Sequence, residues 1–153
     1  MKKNEIIFIG VLIIIAVAII FVITRGNKND GNAKDNQTKT EENYNVLIDG
    51  TKLNKSDKIK DDRTYNGLKF SNFQLTEKNG KTTLLADVTN TTSSDISGFT
   101  TVDITFYDKS NKEMGKVVGL IAPLKASATT ELNANLTFDC ANAYDLKITK
   151  HAD

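Results

Sequence analysis

The side chains best suited to chemistry are few: one histidine, one cysteine and scattered carboxylates. His151 stands two residues from the C-terminal end of the sequence. Chain ends usually fray, so a positioned general base is not expected there. A Ser-His-Asp or Cys-His arrangement is therefore not expected either. A zinc site needs more Cys and His than the chain has, so no metal set is assigned. Cys140, in Phe-Asp-Cys-Ala, reads as a small buried hydrophobe, with a reactive or intermolecular thiol as the alternative. A single cysteine cannot form a disulfide within the chain. Asp57, Asp61 and Asp62 invite a calcium reading, but their spacing lacks the Asp-x-Asp-x-Asp-Gly order of a calcium loop. Lys58, Lys60 and Arg63 lie among them, so a solvated charged loop is expected. No glycine-rich phosphate loop occurs. The expectation is no catalytic residue, no cofactor and no bound metal.

The elements that must carry these residues read as strands. Segments 44–48, 68–76, 82–90, 99–108, 114–121, 130–138 and 144–148 are short apolar-alternating runs separated by turn residues. In 82–90, Leu84, Ala86 and Val88 share one face. In 99–108, Val102, Ile104 and Phe106 point inward while Asp103, Thr105 and Tyr107 point out. Thr130, Leu132, Ala134, Leu136 and Phe138 form one face of the next run, and Tyr144, Leu146 and Ile148 that of the last. Segment 68–76 changes parity, from Leu68 and Phe70 to Phe73 and Leu75, so a bulge is expected. Lys78-Asn79-Gly80 is a hairpin signal. Segment 51–66 is charged and shows no clear period. No segment beyond residue 24 sustains a helical period. About seven strands with one wet face each imply two antiparallel sheets closed on each other as an immunoglobulin-like β-sandwich.

At residues 104–108 the chain reads Ile-Thr-Phe-Tyr-Asp. Ile104 and Phe106 point inward, Tyr107 covers a neighbouring strand, and Asp108 opens a turn where its carboxylate accepts backbone N–H groups. The stretch resembles the signature of the FxLYD domain family, Phe-x-Leu-Tyr-Asp. Tyr107 and Asp108 match it. Ile104 stands for the family's Phe and Phe106 for its Leu. Residues 86–90, Ala-Asp-Val-Thr-Asn, are similar to the family's Gly-x-Val-x-Asn strand, with Ala86 in place of Gly. Downstream, a strand, the turn Ala122-Pro123-Leu124 and a further strand follow in the family's order. The resemblance covers 68–150. It implies a small extracytoplasmic β-domain of the kind anchored in Gram-positive bacterial envelopes, with no shared enzymatic activity.

Residues 6–24 are an uncharged apolar run without proline. About 20 such residues at 1.5 Å rise cross the roughly 30 Å hydrocarbon core of a bilayer. The run is too long for a secretory signal, and its small residues Ala16 and Ala18 lie in its middle, so an uncleaved anchor is expected over a cleaved leader. Its short N-terminal tail fits a signal-anchor that leaves the C-terminal part outside the cell. Residues 25–43 are polar, with Ala33 as the only apolar side chain, and read as a flexible tether. A relaxed coil of that length spans about 25 Å. The plan is thus an anchor over 1–24, a linker over 25–43 and a β-domain over 44–153.

Twenty Lys plus Arg balance 19 Asp plus Glu, and no basic stripe stands out, so nucleic acid is not an expected partner. The surplus of Lys, Asn and Ile with no Trp suits an A+T-rich bacterial genome. The expected partners are the membrane, through residues 6–24, and an envelope protein or polymer. The expected function is a non-catalytic binding or scaffolding module. Two alternatives stand beside it: a subunit of a larger membrane complex, and a hydrolase of envelope polymers using Asp87 and Asp103. The second needs carboxylates about 5 to 9.5 Å apart in a cleft.

Overall fold

The computed structural model describes residues 42–152. The expectations for the anchor (1–24) and for nearly all of the linker fall outside them. Asn43, counted with the linker, belongs to the folded domain: it is buried, and its side-chain amide donates to the Asn142 carbonyl at 3.0 Å.

All seven expected strands are present. They are β1 (Tyr44–Val46), β4 (Leu68–Lys78), β5 (Lys81–Asn90), β6 (Thr100–Tyr107), β7 (Glu113–Ile121), β8 (Thr129–Leu136) and β9 (Asp145–Lys150). Two more, β2 (Lys52–Asn54) and β3 (Arg63–Tyr65), flank a four-residue helix, α1 (Asp57–Lys60), in the charged segment that shows no period. One sheet runs β1-β2-β4-β5-β8, with β3 also on β4; the other runs β7-β6-β9, and every pairing is antiparallel.

Local chemistry explains the joints. Asn79 and Gly80 both have positive φ, 54° and 77°, as a two-residue hairpin of the primed type requires, and Lys78 pairs with Lys81 across it. Asn66-Gly67 repeats the device at φ 47° and 77° and joins β3 to β4. The bulge in β4 falls between Ser71 and Gln74, with Asn72 at φ 54°. It restores the inward parity, so Leu68 and Phe70 before it and Phe73 and Leu75 after it are all buried.

Both sheets contribute to one core. Phe70, Leu75, Leu84, Val88 and Leu132 come from the larger sheet, and Val102, Ile104, Phe106 and Leu146 from the smaller. Gly119 of β7 sits where a Cβ would lie 3.1 Å from Val102 and 3.3 Å from Leu132, so the layers meet closely there. This two-layer arrangement is consistent with a β-sandwich. On the other side Arg63 ties the layers together. Its guanidinium donates to Asp145 at 2.7 Å, to the Lys58 carbonyl at 2.6 Å and to the Asp61 carbonyl at 2.7 Å.

Two inside-outside assignments need correction. Phe138 does not continue the buried face of β8. The strand ends at Leu136, and the Phe138 ring turns onto β7, where a Cβ at Gly115 would lie 2.2 Å from it. Asp103 and Thr105 are not on a wet face: both are buried. They sit on the central strand of a three-stranded sheet, where side chains of β7 and β9 shelter them.

Candidate functional site

The motif residues are positioned as a structural unit. Ile104 and Phe106 are wholly buried. Tyr107 lies half-buried, with the Lys147 ammonium of neighbouring β9 4.7 Å from its ring centroid. The Asp108 carboxylate accepts the Ser110 N–H at 2.8 Å, the Lys112 N–H at 2.9 Å and the Ser110 hydroxyl at 2.6 Å. These bonds, the Ser110 hydroxyl first, hold its pKa below the usual carboxylate value. The carboxylate is occupied in closing the β6–β7 turn.

The carboxylates weighed for hydrolysis do not meet. Asp87 lies on β5 of the larger sheet and accepts from Asn72 at 2.7 Å. Asp103 lies on β6 of the smaller sheet and is held by Lys116 at 3.0 Å and by His151 Nδ1 at 2.7 Å. Each points away from the core on its own sheet, so no cleft lies between them. His151 and Lys116, in that order, lower the pKa of Asp103. The contact also corrects the expectation of a frayed end, because His151 is fixed against the sheet.

Asp57, Asp61 and Asp62 are split among Lys60, Lys58 and Lys69, at 3.3, 3.5 and 2.7 Å. Among the described residues no group of three or more His, Cys, Asp or Glu is placed to hold a metal ion. Cys140 is fully buried, and burial pushes its thiol up to about 11. Thr82 receives its backbone N–H at 2.8 Å.

Two surface features remain. The first is a polar cleft of about 530 Å³ lined by residues that include Asn43, Lys55, Ser56, Asp57, Lys58 and Tyr144. It lies where the chain enters the domain, and both signs of charge line it. The second is apolar. Phe99, Val118 and Leu120 are 69%, 45% and 58% exposed. Val118 and Leu120 stand on the outer face of β7, opposite Asp103 and Thr101, and Phe99 immediately precedes β6. Strand β6 runs from this apolar end to Tyr107, whose carbonyl accepts the Tyr144 N–H close to Asn142 and the entering Asn43. The apolar patch is therefore at the end of the domain remote from the chain entry.

Sequence reading missed Asn90 in its structural role, although the residue lies in the strand motif. It is wholly buried, donates to the carbonyls of Ser94, Leu124 and Lys125, and accepts from Thr92. A polar residue on the inward parity of β5 was the available signal. No family model, no curated protein and no solved structure matches this chain.

Proposed function

We propose that the chain is a membrane-anchored, extracytoplasmic and non-catalytic binding or scaffolding module of a bacterial cell envelope. In this reading residues 6–24 are the single-pass anchor and the described domain is an immunoglobulin-like sandwich of the FxLYD type. The observation that carries the binding role is the outer face of the smaller sheet. Phe99, Val118 and Leu120 stay exposed there, at the end remote from the chain entry. Exposed apolar side chains gathered on one face favour a protein partner, because burying them on association is favourable. The same patch also suits a subunit of a larger membrane complex. The motif residues 104–108 support the fold and leave the surface to do the binding.

The test is in-cell photocrosslinking from position 120, beside a control probe at Lys81 on the opposite end and the other sheet. Capture of one envelope protein from position 120 alone supports the proposal, and a fixed stoichiometry on purification selects the complex-subunit form. Equal capture from both positions refutes the docking face. Protease added to intact wall-stripped cells should release a fragment starting within 25–43. Complete protection of the domain would place it in the cytoplasm and refute the location.

A further inference from the structure

The domain has a second exposed apolar feature, at the opposite end from Phe99. Val46 is 63% exposed and Ile48 is 94% exposed, with Leu47 half-buried between them. They form the end of β1 and the turn into β2. The turn is firmly built. The Leu47 N–H donates to the Thr51 carbonyl at 2.8 Å, the Gly50 N–H donates to the Leu47 carbonyl at 2.9 Å, and Gly50 takes φ 81°. Asp49 accepts the Thr51 N–H at 3.1 Å and the Thr51 hydroxyl at 3.0 Å. The apolar side chains are thus held out by an ordered turn.

Three lysines, Lys52, Lys78 and Lys81, lie among three carboxylates, Asp49, Glu77 and Asp139, and a fourth, Glu42, accepts the Tyr44 hydroxyl at 2.9 Å. Lys78 lies 2.6 Å from Asp49 and holds its carboxylate down at about 2. Lys52 is shared between Asp139 and Glu77. Lys81, on the adjoining hairpin, is exposed. Tyr44, at the start of β1, presents an aromatic ring with a polar tip, the kind of side chain that favours a membrane–water interface.

We infer that the β1–β2 turn, Val46 to Ile48, rests in the headgroup layer of the bilayer that carries the chain. The inference rests on the anchor reading above and extends it. The occupant follows from chain length. Only residues 25–41 separate the apolar run from the described domain, and a relaxed coil of that length would span about 23 Å, so the bilayer is the surface held at the highest local concentration. Apolar side chains at the tip enter the acyl boundary, and the exposed Lys81 ammonium meets a headgroup phosphate. The domain then stands with one end on the membrane and its Phe99–Leu120 face turned outward.

The test uses the full chain reconstituted in vesicles of phosphatidylcholine and phosphatidylglycerol. An environment-sensitive fluorophore is placed by Ile48→Cys, and separately by Gly98→Cys on the remote loop, where added side-chain atoms meet nothing within 4 Å. Native Cys140 is buried and stays unlabelled. Headgroup-borne nitroxide should quench the probe at 48 at least three-fold more than the probe at 98, and Val46→Asp should remove most of that difference. Vesicle-bound protein with equal quenching at both positions overturns the inference and leaves the anchor standing. Protein that does not float with the vesicles overturns both. Shielding at 48 that disappears when the protein is diluted in lipid assigns the tip to a second copy and overturns the bilayer contact.

Discussion

Replacing Asn90 tests whether the loops at the remote end of the domain are held by one buried amide. Its Nδ2 donates to the Ser94 carbonyl at 2.8 Å and to the Leu124 and Lys125 carbonyls, both at 3.2 Å. Its Oδ1 accepts the Thr92 N–H at 3.0 Å and the Thr92 hydroxyl at 2.7 Å. The amide has only two hydrogens for three carbonyls, and the single Thr92 hydroxyl proton also reaches the Ser94 carbonyl at 2.9 Å, so the five contacts amount to about three independent bonds. At about 1 kcal/mol net for each, plus a small cavity, Asn90→Ala should cost about 2–4 kcal/mol. Asn90→Asp keeps the shape and both acceptor contacts but turns an oxygen toward three carbonyl oxygens. It should cost more than Asn90→Ala at pH 7, because a buried carboxylate there loses water and faces only acceptors. The same setting raises the folded-state pKa of the introduced carboxyl above its unfolded value. Its penalty should then shrink as the pH falls through that raised value toward about 4. The assay is urea unfolding of residues 42–153 at pH 7 and pH 4, each variant read as a difference from the parent at the same pH, with m values compared. An Asn90→Asp variant as stable as the parent at pH 7, or more stable than Asn90→Ala, would refute this account of the amide.

Three further outcomes are expected. Phe106→Ala should cost about 3–5 kcal/mol in the same assay, since the ring is wholly buried, and half-buried Tyr107→Ala should cost less; a reversed order would mean the strand faces are misassigned. Asp108 has a folded-state pKa below its unfolded value, so its stabilisation is present above about pH 4 and is lost as the pH falls through the folded value. Asp108→Asn should therefore flatten the loss of stability with acid, and an unchanged acid transition would count against the turn bonds. Cys140 should resist maleimide at pH 8 in the folded protein and react fully in 8 M urea; rapid modification of the native chain would show that the thiol is exposed.

Local periodicity determined most of the strands. Alternation at Leu84, Ala86 and Val88, and at Val102, Ile104 and Phe106, is a property of neighbouring residues, and all six are buried as read. The parity change in β4 disclosed its bulge, and Asn79-Gly80 its hairpin, because bulges and primed turns have local residue requirements. Asn66-Gly67 carried the same hairpin signal, but charged three-residue strands offer too few alternations to be recognised beside it. The residues able to do chemistry were also legible as a short supply. Where they stand was not, because burial on an outer face depends on which strand is central. Only the sheet order put Asp103 between β7 and β9, brought His151 from the far end of the sequence to its carboxylate, and placed Asp87 on the other sheet. The two exposed apolar patches likewise lie at opposite ends because of strand direction, which no local pattern encodes. Sequence spacing sets which side chains share a face, whereas long-range pairing sets which faces meet and which are left to water.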